Sequence, residues 1–172
     1  MKIGPLLICF SLASTLATAA PASPKVPKPL RAQIQRLTEL LSDGHAMGYP
    51  DATLVQRIKR RTHDEIVLVI FTIEGFGGGN NHTQYFAVFT SETNEKGKEH
   101  FKLVDVMAIG GKGWRGVDKL NAKTMENLKT QEIAIVIDAL EVYGDDAPNF
   151  PSKKITINLV QKAGRLFEQK SR

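Results

Sequence analysis

Between residues 65 and 74 the chain reads EIVLVIFTIE, apolar on both alternating faces and rich in β-branched residues. That pattern predicts a strand covered on both sides in the middle of a sheet, because a half-exposed strand would place a polar residue at every second position. TQYFAVFT (83–90) and HFKLVDVMAI (100–109) predict further strands, separated by the polar turn NEKGK, and a short strand is expected at 115–119. Residues 120–131 are polar and read as a connection with at most a helical turn. EIAIVIDALEV (132–142) and KITINLV (154–160) predict the last two strands, and 161–172 reads as a polar, frayed or briefly helical end. Upstream, Leu30, Ile34, Leu37 and Leu41 recur at helical spacing with Arg31, Gln35, Arg36 and Glu39 around the rest of the wheel. They predict one amphipathic helix of about three turns, stopped by Ser42-Asp43-Gly44. ATLVQRIK (52–59) fits either a helix face or a strand, and GHAMGYPD (44–51) reads as a loop.

The fold class expected is α+β, mostly β: an antiparallel meander-type sheet with one N-terminal amphipathic helix. Residues 1–20 stand apart as a signal peptide, with Lys2 as the positive end, an apolar run from Ile3 to Leu16, and Ala17-Thr18-Ala19 as the small-residue cleavage signature. Cleavage near Ala19 or Ala20 would place the mature chain in the periplasm or outside the cell. The run is too short for a span of about 20 apolar residues, and no stable membrane insertion of the mature chain is expected. Residues 21–29, rich in Pro and Lys, form a flexible leader; 30–165 form a single β-rich domain, and 166–172 a tail.

Cys9 is the only cysteine and lies inside the export segment, which excludes a disulfide framework, thiol chemistry and a cysteine metal site in the mature chain. A domain of roughly 150 residues can bury an adequate core without disulfides. The formal charge of +5 is spread along the chain, with short clusters only at 59–61 and 153–154. Nucleic-acid binding would need a concentrated basic stripe with interleaved aromatics, and none is present.

The most distinctive stretch is EGFGGGNNH (74–82). A dinucleotide fingerprint requires a third glycine and a following helix, whereas this stretch runs into a strand. No Gly-Lys-Ser/Thr occurs anywhere, so a Walker loop is excluded as well. Gly and Asn tolerate positive φ, which suits a wide connection between strands. In a meander, alternate connections share one end of the sheet. EGFGGGNNH, GGKGW and YGDDAPNFPS should therefore lie on one rim and the plainer polar turns on the other. Binding residues favour loops held by a rigid scaffold, so this rim is the candidate site, with Asn80, Asn81, His82, Lys112, Trp114, Arg115, Asp145 and Asp146 as its candidate ligand-binding residues.

Each of these also has a plain structural reading. Trp114 can pack over a sheet edge with Lys112 and Arg115 solvated, and Asp145-Asp146 can stabilise a turn through side-chain hydrogen bonds. Calcium is not expected, because the acidic spacing of a calcium loop is missing. His45, His63, His82 and His100 show no metal-ligand spacing, so neither metal nor cofactor is expected. Asp105 and Asp138 fall inside apolar strands, where each needs either a specific partner or an exposed face. His63, Asp64, Glu65 and His82 have acid/base capacity but no neighbouring nucleophile.

The run DEIVLVIFTIEGFGGGNNHTQYFAVF (64–89), followed by IGGKGWR and YGDDAPNFPS, resembles a family of small exported bacterial proteins that share EGxGGGNN, QYLAVF, GGKG and DDAxxxPS in this order. The resemblance covers roughly 64–160 and implies a β-rich envelope domain; the family has no established activity to carry over. It also implies that 52–59 is a strand hairpinned with 65–74. Relatives often show DxDGDG before the first central strand, where this chain has KRRTHD, and a pair of cysteines where Asn149-Phe150 stand. The function expected is a non-catalytic binding or inhibitor-type module acting on an envelope protein or glycan. The alternatives are an envelope hydrolase or glycan-processing enzyme using His82 with Asp145 or Asp146, and a structural envelope component.

Overall fold

A computed structural model describes residues 26–61 and 64–169. The segment predicted for export, most of the predicted leader, Thr62, His63 and the last three residues lie outside the described residues. One helix, α1 (Lys28–Leu41), precedes nine strands: β1 (Met47–Lys59), β2 (Glu65–Glu74), β3 (His82–Thr93), β4 (Glu99–Gly111), β5 (Arg115–Gly116), β6 (Lys123–Asn127), β7 (Glu132–Glu141), β8 (Lys153–Lys162) and β9 (Arg165–Gln169). All pairings are antiparallel, in the order β1-β2-β3-β4-β5-β7-β8-β9, with β6 also on β7. Residues 52–59 are thus strand, paired with β2 from Leu54↔Ile70 to Lys59↔Glu65.

The sheet folds over itself and builds two cores from the alternation of its strands. Ile66, Leu68 and Ile70 of β2 pack in one cluster with Ile133, Ile135 and Ile137 of β7, and Ile157 and Leu159 of β8. Val67, Val69, Phe71 and Ile73, on the other face of β2, pack in a second cluster with Leu30, Ile34 and Leu37 of α1. β2 is therefore buried on both faces from Ile66 to Ile73, which accounts for its continuous apolar run.

Side chains close the fold where backbone pairing stops. Between β5 and β6 the chain leaves β7, and two glutamine amides hold this strap as a strand would. Gln84 of β3 accepts from Val117 N–H (2.8 Å) and donates to Val117 C=O (3.1 Å). Gln56 of β1 makes the same two bonds with Ala122, at 2.7 and 3.0 Å. On the opposite side Asp105 of β4 accepts the N–H of Leu166 in β9 (2.8 Å). Asp105 therefore has a specific partner, while Asp138 stands on an exposed face.

Several local expectations change, beginning with 47–51, read as part of a loop, which opens β1. Residues 161–172 are not a frayed end, since β8 reaches Lys162 and β9 pairs back on it through a turn at Ala163-Gly164. The tail set at 166–172 is strand as far as Gln169, with Leu166 buried in the core. The connection at 120–131 contains β6, whose exposed, polar sequence conceals its pairing with β7. The strand expected at 115–119 is only two residues long, because beyond Gly116 the strap bonds to side chains instead of a neighbouring backbone.

Thr72 is 5 % exposed, and its hydroxyl has no hydrogen-bond partner among the described residues. An isosteric methyl removes a buried, unsatisfied group, so Thr72→Val is expected to raise stability by up to about 1 kcal/mol in urea unfolding. A clear loss of stability would show that the hydroxyl has a partner.

Candidate functional site

The rim is built from the glycine loop outward. Gly75, Gly77 and Gly78 adopt φ of 88°, 64° and 71°, which L side chains resist. This lets the chain make a 3-10 turn over Phe76–Gly78 and close with Gly75 N–H on Asn81 C=O (2.8 Å). Asp43, just after α1, fastens the turn to the body of the domain. Its carboxylate accepts the N–H groups of His45 (2.9 Å), Ala46 (2.8 Å) and Gly77 (2.8 Å). These bonds, that from Gly77 first, hold its pKa below the ordinary aspartate range.

The other two loops lock onto this one. Lys112 donates from its backbone to His82 C=O (3.2 Å) and from Nζ to Asn80 C=O (2.6 Å). Gly113 N–H reaches Pro148 C=O (2.8 Å), and Val142 N–H reaches Trp114 C=O (2.9 Å). Asp146 closes the 143–152 loop by accepting from Tyr143 N–H and Ser152 N–H, both at 2.9 Å. The Tyr143 bond is the main cause of its lowered pKa. The three loops that alternation assigned to one end do meet there.

Between the 74–82 loop, Asn149 of the 143–152 loop and the segment at 45–47 lies a groove of about 470 Å³, lined by His45, Glu74, Asn80, Asn81, His82 and Asn149, with Met47 at its side. No protein-family model matches this chain, and no curated protein or solved structure matches it significantly. What the groove can do follows from its own chemistry. It offers three side-chain amides, two imidazoles and a carboxylate. Among the described residues no cluster of three or more His, Asp or Glu is placed to hold a metal.

The sequence-chosen residues fall into three groups. Asn80, Asn81 and His82 line the groove. Lys112, Trp114 and Asp145 stand on the rim; Trp114 is 42 % exposed, and the Lys112 ammonium is occupied by Asn80. Arg115 and Asp146 are engaged in structure. Arg115 is 7 % exposed, donates from Nε to Ile109 C=O (2.6 Å), and makes a two-pronged bond to Glu168 at 2.6 and 2.7 Å. It belongs to the core because β5 turns its side chain inward, towards β9. Asp43, His45, Glu74 and Asn149 were missed. An Asp at a helix end ahead of Gly and His is a signal for a side-chain-capped turn, and it could have pointed to Asp43.

A second cleft, about 680 Å³, runs between α1 and the N-terminal part of β1. It opens where four residues of β1, 50–53, stand opposite Phe71 alone between the pairs Tyr49↔Thr72 and Leu54↔Ile70.

The carboxylate anchors make the rim acid-sensitive. A depressed folded pKa means that the stabilisation is complete above the unfolded aspartate value of about 3.9 and is lost as pH falls through the folded values. Hydrogen exchange should show the Gly77 and Ser152 amides losing protection in that acid range. Asp43→Ala should abolish Gly77 protection at neutral pH while β2 amides stay protected.

Proposed function

We propose that this protein is a non-catalytic binding module of the bacterial envelope, exported by its N-terminal segment, and that it captures its ligand in the rim groove. The observation that carries this reading is the cross-bonding of the three atypical loops and Asp43, which holds the groove beside the 74–82 loop in a preformed shape. A site ordered before binding loses less conformational freedom when it binds. The six groove side chains can then orient a polar ligand.

A catalytic reading has less support from the same geometry. Oδ2 of Asp146 accepts two backbone N–H groups and the carboxyl pKa is lowered, whereas a general acid or base works best with a pKa near the operating pH. The motif resemblance adds the envelope setting to this proposal but no activity.

The test is capture from an envelope extract by the protein and by the triple variant Asn80→Ala, His82→Ala, Asn149→Ala, with circular dichroism to confirm folding. A ligand held by the parent and lost by the folded variant is the expected result. Equal capture by both would remove the groove from consideration.

A further inference from the structure

The groove's hydrogen-bonding groups are free, and carboxylates outnumber cations around it. Among the described residues, the side chains of Asn80, Asn81, Asn149, His45, His82 and Glu74 take part in no hydrogen bond. Among the basic side chains in and next to the three loops, Arg115 is paired with Glu168 and Lys153 with Glu141 at 3.0 Å, while the exposed Lys112 ammonium is tethered by one bond to the neutral Asn80 C=O. Unpaired charge on this rim is therefore mostly acidic, the Glu74 and Asp145 carboxylates outnumbering the Lys112 ammonium. A phosphate, sulfate or carboxylate ligand would meet one tethered ammonium against two carboxylates, instead of the cluster of cations that such groups favour.

The same rim displays aromatic rings. Phe150 is 75 % exposed, Tyr143 65 % and Trp114 42 %, while Phe71, Phe86, Phe89 and Phe101 are fully buried. Phe150 directly follows the groove residue Asn149, and its loop is pinned by Asp146 and by the Pro148–Gly113 bond. Apolar rings held on an ordered loop beside unpartnered amides form a two-part surface. One part stacks on C–H faces, and the other donates to and accepts from hydroxyls.

Resting on the binding reading above, we infer that the ligand is an uncharged glycan. Its hydroxyls pair with the Asn80, Asn81, Asn149 and His82 side chains, and a sugar face lies on Phe150 or Tyr143. A hydroxyl both donates and accepts, as the mixed amide and imidazole lining requires, and a groove of this size is within the roughly 300–1,000 Å³ range of ligand sites.

The experiment is a panel of immobilised neutral oligosaccharides and polysaccharides, with anionic ones alongside, probed with the purified protein and with Phe150→Ala, Tyr143→Ala and Asn149→Ala. Folding of each variant is checked by its melting temperature, which exposed positions should leave unchanged. The expected result is binding to a neutral glycan that is insensitive to salt and weakened about three- to tenfold by Phe150→Ala or Tyr143→Ala, and similarly by Asn149→Ala. A blank panel overturns the glycan assignment, as does binding confined to anionic glycans and abolished by salt. If the panel is blank but a protein is captured from extract in an Asn80/His82/Asn149-dependent manner, the binding module stands and the ligand class is wrong. Neutral-glycan binding indifferent to all three substitutions overturns the assignment of the groove and its rings as the glycan site.

Discussion

Arg115→Met lowers unfolding free energy by about 3 kcal/mol, near the lower end of the cost of breaking a buried ion pair. For a domain of this size that corresponds to a fall in melting temperature of roughly 10 °C. The methionine fills much of the same space, so the loss is one of polar partners. Ile109 C=O loses its donor and Glu168 loses both of its short bonds. Glu168 remains a third exposed, so water recovers part of its solvation and keeps the cost from reaching the upper end of the range. A change below about 1 kcal/mol in urea unfolding would mean that the pair holds little of the fold.

Glu168→Gln separates charge from shape. The Arg115 hydrogen bonds are the main cause that holds the Glu168 pKa below its ordinary range. Their contribution is therefore complete above the unfolded glutamate value, about 4.3, and disappears as pH falls through the lower folded value. The parent should lose stability progressively below that point, and the glutamine variant should show a flatter acid limb. Parallel acid limbs in the two proteins would refute the linkage.

Gly110→Ala is the second large effect, a loss of about 3 kcal/mol at the upper end of overpacking costs. Its cause is space. A methyl at Gly110 would stand 2.6 Å from Arg115 C=O and 3.0 Å from Gln84 Oε1. The first neighbour is backbone and cannot rotate away. The second is the amide that holds the strap at Val117, so relief at Gly110 disturbs the Gln84 clamp and shifts Arg115 together. Gly44→Ala is the control: nothing lies within 4 Å of its added methyl, and its change should stay within about 0.5 kcal/mol. Similar losses at both positions would show that helix-end flexibility, and not the β4–β5 contact, governs the result.

Much of this architecture can be read before any coordinates. Leu30, Ile34 and Leu37 mark the helix face that is buried, and the double-faced apolar run of β2 marks the centre of the sheet. Both signals are local, because burial of an element acts on residues at that element's own period. Alternation along a meander also brings the 74–82, 110–114 and 143–152 loops to one end. That inference needs only the parity of connections and survives errors in strand length. β6 and β9 were not legible, because short, exposed strands carry little apolar pattern and owe their state to a neighbour's backbone.

The amino-acid sequence by itself determined the helix, the central strands, the confinement of cysteine to position 9 and the rim where unusual loops gather. Only the tertiary structure decided what each rim residue does. Arg115 and Asp146 are chemically as able to bind a ligand as Asn80 and His82. Glu168 of β9 claims the first, and two N–H groups of its own loop claim the second. The partner of a polar side chain is set by residues distant in the chain, 53 positions away for Arg115 and 34 for Asp43 with Gly77. Sequence periodicity records which side of an element is covered, and carries no trace of which distant group will meet a given charge.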